Sequence, residues 1–366
     1  MAESADVSWT CPRCARRMPC AELLACTACC PSTALDVRGN EDVWTLIAPA
    51  VMQAALAGPG QCLRAASAGP AWGHISQVNA HGRSDGWSCG YRAAQMLWHW
   101  AAQRTPYSCV TRPVPKLEGM RWALSRAWAL GWDPDGAAHF HGSALGQPAW
   151  VGAADMWAML KSQRLPAVLV DVHSMASPHL GAVLEARAGL QVLWAGTPQA
   201  TQQLHAPAHT GIAEFCAYWF AQPHASPLIL QHQGHARLVV GMAEPGVASE
   251  MDMASTASEC PVDARPPVPA WTSCRELELP AMSAERLRQV QLVVLDPGHS
   301  PAQVQAALGG TNTARTVLVP LASLRAATYQ LLGLAGPASA SPAPDGSGRV
   351  RTVHLLPRAV QPIDEL

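Results

Sequence analysis

The sequence predicts an α+β fold, a domain of mixed helices and strands led by a small N-terminal zinc-binding module. Three observations carry that expectation. Six of the twelve cysteines fall within the first thirty residues, four of them in two C-x2-C pairs. From about residue 71 onward, helix-period and strand-period segments alternate almost to the C-terminus. The 366 residues are 49% hydrophobic and 14% charged, enough apolar surface for a core that needs no disulfide scaffold. The balance of 25 Lys and Arg against 26 Asp and Glu gives a net charge of −1, so no basic field is available to hold nucleic acid. Apolar runs stay short of the ~20 residues a membrane span needs. The first residues, MAESADVSWT, show no basic start followed by an apolar stretch. The expectation is therefore a reducing compartment, cytoplasmic or nuclear, in which thiols serve metal binding or catalysis.

Residues 1–35 form the cysteine-rich module. Cys11-Pro-Arg-Cys14 and Cys26-Thr-Ala-Cys29, separated by eleven residues, can supply four thiolates to one tetrahedral zinc ion. Such an ion gives a fold to a segment too short to bury a core of its own. Cys20 and Cys30 are spare and could replace Cys26 or Cys29. Residues 36–70 read as a connector, with a helix over Asp42–Leu56, where Val43, Leu46, Ile47, Val51 and Ala55 recur at helical spacing, and a Gly/Ala/Pro linker over Gly58–Gly69.

The main domain, residues 71–366, opens with a helix over Gly90–Arg104 and has a second over Met156–Arg164, which leads through Pro166 into a strand at Ala167–Val172. Further strands are expected at Leu228–Leu230, Leu238–Met242 and Gln291–Leu295, with a weaker one at Val317–Leu318. Segments near 244–279 and 336–348, rich in Pro, Ser, Ala and Gly, read as flexible inserts.

Two features point to chemistry. In Asp85-Gly86-Trp87-Ser88-Cys89-Gly90-Tyr91-Arg92, one cysteine stands where a glycine-bearing loop enters a helix. Unpaired N–H groups and the positive end of the helix dipole stabilise a thiolate there, and the same N–H groups can receive an oxyanion. Elsewhere, Gln231-His232-Gln233-Gly234-His235 precedes one strand, while the strand Gln291–Leu295 runs into Asp296-Pro297-Gly298. If the two strands pair antiparallel, the start of the first lies beside the end of the second, and His235 meets Asp296. A nucleophile, a base and an orienting carboxylate follow as Cys89, His235 and Asp296, the set used for thiol-mediated acyl transfer to water from an amide or isopeptide. Cys62, Cys109, Cys260 and Cys274 lie in loops or inserts and Cys216 in an apolar run, where no such activation is expected.

These segments, DGWSCGYRAAQML at Asp85–Leu97, LQHQGHARLVVG at Leu230–Gly241 and LVVLDPG at Leu292–Gly298, resemble the papain-like peptidases for ubiquitin-fold modifiers. Weaker similarity at Trp150–Asp171 and Tyr329–Gly336 extends the match across most of residues 72–336. The resemblance implies a papain-like cysteine peptidase fold, with Cys89 as nucleophile, His235 as general base, Asp296 as its orienting acid and Gln231 as a donor completing the oxyanion hole. It implies ubiquitin or polyubiquitin as partner, its terminal diglycine threading a narrow slot, and Asp155 as a candidate to hold the arginines of that tail. It further implies a preference for lysine-sixty-three-linked chains and a nuclear role. The sequence departs from the family in Ser88, which stands where Gly is usual before the nucleophile, and in a four-cysteine module where Cys/His fingers are usual. Gly298 occupies the place where cousins specific for a smaller modifier carry histidine, with His299 following. That favours ubiquitin as substrate and His235 as base. The alternatives are a peptidase for another ubiquitin-like modifier and a catalytically weak ubiquitin-chain-binding protein.

Overall fold

A computed structural model describes residues 72–79, 82–104, 114–146, 148–186, 190–195, 208–222, 225–245, 276–309, 317–335 and 352–358, with the segments 8–10, 17–19, 44–47 and 61–66. Cys11, Cys14, Cys26 and Cys29 lie outside the described residues, as do 246–275 and 336–351, which hold most of the two expected inserts.

The strands are β1 (Ser8–Thr10), β2 (Arg17–Pro19), β3 (Trp44–Ile47), β4 (Gln61–Ala65), β5 (Trp72–Ile75), β6 (Ala167–His173) and β7 (Gln191–Ala195). They continue with β8 (Leu228–His232), β9 (His235–Pro245), β10 (Glu276–Glu278), β11 (Gln291–Leu295), β12 (Leu318–Pro320), β13 (Thr328–Leu334) and β14 (Thr352–Pro357). The helices are α1 (Cys89–Ala102), α2 (Leu117–Ala129), α3 (Pro134–His139), α4 (Ala153–Ser162), α5 (Leu180–Ala186), α6 (Ala208–Phe220), α7 (Ala284–Gln289) and α8 (Pro301–Gly309). The central sheet runs in the order β10-β7-β14-β6-β13-β8-β9-β11-β12, with β4 also paired to β9. Most neighbours are antiparallel, but β14 inserts parallel between β6 and β7, giving a mixed sheet.

Helices cover both faces. Gly211 of α6 faces Leu355 and Val172, where an added Cβ would come within 3.4 Å of each. Helix α4 packs on β6 and β13, and α1 on β9 and β5. The burial of α1 on nearly every side, Tyr91, Ala93, Ala94, Leu97 and Ala101 being fully enclosed, accords with its sparse polarity. The core joins both layers through Ile229, Val239, Leu292, Leu331 and Phe215.

The connector differs from the expected helix and linker. Residues Trp44–Ile47 are a strand paired antiparallel with β5, Trp44 opposite Ile75 and Ile47 opposite Trp72. Thr45 and Ile47 are buried while Leu46 is 53% exposed, a period-two pattern set by the tertiary partner. Within the expected linker, Gln61–Ala65 is a strand lying on β9, Cys62 opposite Glu244 and Ala65 opposite Gly241. Gly241 is needed there, because a Cβ would sit 2.6 Å from the Arg64 carbonyl oxygen. The ends of the expected 244–279 insert belong to the domain as well. Glu244, 2% exposed, takes ion pairs from Arg64 and Arg286, and β10 pairs parallel with β7.

Candidate active site

The register of β9 on β11 brings the site together. Leu295 pairs with Leu238 in an antiparallel ladder, so the first residues of β9 lie beside the loop that follows β11. His235 is the first residue of β9 because β8 and β9 form a hairpin, His232 opposite His235, closed by Gln233 and Gly234. Both turn residues have positive φ, 47° and 78°, as a two-residue type I′ turn requires. His235 Nε2 then stands 2.9 Å from Asp296 Oδ1 and 3.1 Å from Oδ2, leaving Nδ1 for the thiol.

Cys89 begins α1. Asp85 shapes the loop before it, its carboxylate accepting from the backbone N–H of Trp87 and Ser88 at 3.2 and 3.1 Å and from the Ser88 hydroxyl at 2.6 Å. The hydroxyl of Ser88, fully buried, thus adds a bond that glycine cannot make. The Cys89 sulfur is 3.7 Å from the Gly234 carbonyl oxygen. Burial pushes the thiol up, but hydrogen bonds from His235 and from the backbone N–H groups of Ala236 and Gly90, with the charge of His235, win and hold it below the usual thiol range. The reciprocal effect raises His235 to about 9, chiefly through its bond to Asp296 and then that to Cys89. Asp296 resists a burial penalty because His235, the Gly298 N–H and Arg237 all favour its charged form, and its carboxyl lies well below the usual carboxylate range. Both shifts favour a thiolate–imidazolium pair, with a carboxylate behind the ring.

The acid is held from several directions. Gly298 N–H donates to Asp296 Oδ1 at 2.7 Å and Arg237 Nε to Oδ2 at 2.8 Å. His74, fully buried and kept neutral by that burial, places Nε2 2.9 Å from the Asp296 carbonyl oxygen. Ser76 Oγ donates to the His299 carbonyl oxygen at 2.8 Å. His299 thus contributes its backbone to the support of this loop, and the imidazole joined to Asp296 is that of His235.

Gln231 lies on β8 opposite Ala236. Its Nε2 is 3.5 Å from the Val151 carbonyl oxygen, and its buried Oε1 has no hydrogen-bond partner. The same carbonyl oxygen would lie 3.0 Å from a Cβ on Gly90, so the Gln231 amide stands near the start of α1. Trp150, 57% exposed, rests on the hairpin turn, its ring 3.7 Å from where a Gly234 Cβ would be. Asp155 is not available to a tail arginine in the way the resemblance implied. It is buried, one oxygen accepting from Gly152 N–H at 2.7 Å, the carboxyl pushed up to about 7 by burial, in spite of that bond, and by Asp133. The carboxyls of Asp133 and Asp155 converge on Gly136, where a Cβ would meet both. Arg237, His74, Trp150 and Gly234 were not singled out from sequence. Arg237 could have been, since a residue two positions along a strand from His235 shares its face.

Fold and site together define a class: a mixed helix-and-sheet domain that carries the thiol, imidazole and carboxylate of a cysteine peptidase. The family model described as Peptidase family C78 matches residues 71–246, a span that holds Cys89, Gln231 and His235 and ends before Asp296. Among individual proteins, the zinc finger-containing ubiquitin peptidase 1 of Bos taurus is 31% identical over 171 residues, 43% of this chain and 25% of the relative. That of Homo sapiens is 29% identical over 174 residues, again 43% and 25%. The chain thus spans about a quarter of the length of the curated relatives it matches. The crystal structure of UfSP from C. elegans superposes with a TM-score of 0.42 and 12% identity, over 80% of this chain and 37% of that one. Among the described residues no helix is long and apolar enough to cross a membrane.

Proposed function

We propose that this protein is a deubiquitinating cysteine peptidase that hydrolyses peptide or isopeptide bonds after the C-terminal diglycine of ubiquitin. The single observation that carries the reading is the convergence of the Cys89 thiol, the His235 ring and the Asp296 carboxylate at the start of a helix. The name carried by the similar proteins supports ubiquitin as the modifier.

In the reaction, the Cys89 thiolate attacks the carbonyl carbon of the terminal glycine, and the oxyanion is received by N–H groups at the start of α1 and by the Gln231 amide. His235, charged at the outset, gives its proton to the departing amine. A water molecule then attacks the thioester, His235 taking its proton, and the thiolate leaves. Asp296 fixes the ring and stabilises its charge throughout. Trp150 packs on the Gly234 turn, whose carbonyl oxygen lies 3.7 Å from the Cys89 sulfur, and a tail without side chains at its last two positions suits a close approach to that turn. A preference for lysine-sixty-three-linked chains and a place in the nucleus or cytoplasm belong to this reading.

Zinc in the N-terminal module would be held by Cys11, Cys14, Cys26 and Cys29, as a structural ion taking no part in the chemistry. The pairing of β1 with β2, Thr10 opposite Arg17, supports that assignment, since it draws together the two ends of the segment whose sequence holds the first C-x2-C pair.

The test is a ubiquitin probe with a C-terminal electrophile. Adduct formation by the full chain, lost in Cys89→Ala, is the expected result. Binding without an adduct would make the protein a chain-binding module, and selective labelling by the probe of another modifier would reassign the substrate.

A further inference from the structure

Three strands away from Gln231, the sheet carries a cluster that the peptidase chemistry does not use. Asp171 and His173 are two residues apart on β6 and so share a face. His354 on β14 is the register partner of Asp171. One ligand atom from each of the three lies within 4.8 Å of the others. His173 Nε2 and His354 Nδ1 are 3.3 Å apart. Two nitrogens bound at ~2.0–2.1 Å to one tetrahedral ion stand about 3.3–3.4 Å apart, so this spacing is that of two ligands on a single metal.

The surroundings orient the donors as an outer shell does. The other nitrogen of His173, Nδ1, is 3.0 Å from Ser177 Oγ, which is itself 3.3 Å from Thr328 Oγ1. With Ser177 Oγ accepting from Nδ1–H, the Nε2 lone pair faces His354, as an outer-shell partner of a metal-bound imidazole would have it. Gln330 Nε2 donates to Asp171 Oδ1 at 2.9 Å and holds the carboxylate in place. His173 is 5% exposed, and Asp171 and His354 are half-buried, so the cluster is lined by protein and remains open on one side. Elsewhere these strands are apolar: Val170, Val172, Leu331, Val353 and Leu355 fill the opposite face.

We propose that Asp171, His173 and His354 form a binding site for a divalent transition-metal ion of the zinc class, distinct from the cysteine module. Two imidazoles and one carboxylate select such an ion over magnesium or calcium, which take oxygen ligands. The ion ties β14, which follows a long connection from β13, to β6 at the middle of the sheet. It also sits at one end of a polar row on one face, His354, Asp171, Gln330 and Gln231 being successive register partners. The row spans three strand spacings, ~14 Å at ~4.8 Å each. The site thus lies on the Gln231 side of the sheet without touching the reacting groups.

The proposal does not rest on the peptidase reading, and its test does not read activity. Full chain and His354→Ala are loaded with zinc, desalted and assayed for metal and for thermal stability. The variant should hold one zinc fewer per chain and gain less in Tm on zinc addition, while the two metal-free chains melt alike. With cobalt, the ion lost in the variant should show tetrahedral d–d absorption without thiolate-to-metal charge transfer, which separates it from any cysteine-bound ion. A second measurement leaves the cluster intact: zinc-loaded Cys11→Ser should show imidazole backscattering at the zinc edge, and its absence overturns the proposal even if His354→Ala misfolds. Equal zinc content in the two chains, or equal stabilisation by magnesium, overturns it as well and leaves His173 and His354 as a hydrogen-bonded pair.

Discussion

Arg237 donates its Nε–H to Oδ2 of Asp296 at 2.8 Å, so the carboxylate behind His235 is shared between an imidazole and a guanidinium. The charge of Arg237 steadies Asp296 but opposes the imidazolium. The reacting ion pair exists from the depressed pKa of the Cys89 thiol up to about 9, where His235 gives up its proton. Activity should rise through the first and fall through the second. Arg237→Gln removes the opposing charge, so the alkaline limb should move to higher pH while the rate at neutral pH falls about tenfold, ~1.4 kcal/mol of barrier. A pH–rate profile whose alkaline limb stays in place would contradict this account.

Asp296→Asn and Gln231→Ala should separate orientation from oxyanion binding. Loss of the carboxylate leaves the ring without its charge partner and should cost about 10²–10⁴ in kcat. Loss of the amide should cost about 10²–10³ with little change in the pH profile. Steady-state kinetics on a ubiquitin amide read both, and a wild-type rate in either variant removes the role assigned to it.

The glycine after the nucleophile is a packing requirement. A Cβ on Gly90 would lie 2.8 Å from Val151 Cγ2 and 3.0 Å from the Val151 carbonyl oxygen, so Gly90→Ala must push the 150–152 segment off the helix. A stability loss of about 1–3 kcal/mol is expected from overpacking, measured by urea denaturation, with a larger loss of adduct formation because Trp150 moves with its neighbours.

The Asp133–Asp155 pair gives the fold a pH slope. Asp155 has its pKa raised from 3.8 to about 7, so the folded state binds a proton that the unfolded chain releases. Its stabilising protonation is complete below about 4 and is lost as pH rises through about 7. Asp155→Asn keeps an oxygen to accept from Gly152 N–H and removes the titration. Tm should fall between pH 5 and 8 in the natural chain and fall less in the variant. Parallel curves would show that the pair does not set the slope.

Cys11→Ser should release about one zinc ion per chain and abolish the thiolate-to-cobalt charge-transfer band of the cobalt-loaded protein, as a four-thiolate site demands. An undiminished band would place the thiolate-bound ion elsewhere.

What the sequence by itself determined was local chemistry and its order along the chain. Cys89 at a loop-to-helix junction, His235 at the start of one strand and a β-branched run ending at Asp296 are short-range signals, because dihedral preference and two-residue periodicity act over a few positions. Even the meeting of His235 with Asp296 followed from one assumption about strand direction, since an antiparallel pair places start beside end whatever the length between. The connector was different. Trp44–Ile47 and Gln61–Ala65 are too short to carry a period of their own, and they are strands only because β5 and β9 present free edges to them. Tertiary structure alone decided that Arg237 reaches Asp296, that His74 holds the loop behind it, that Asp155 turns inward to Asp133, and that His354 comes to lie beside His173 from 181 residues away. Such contacts depend on sheet order and register, which are settled by the burial of whole faces and leave no mark on the few residues that happen to meet.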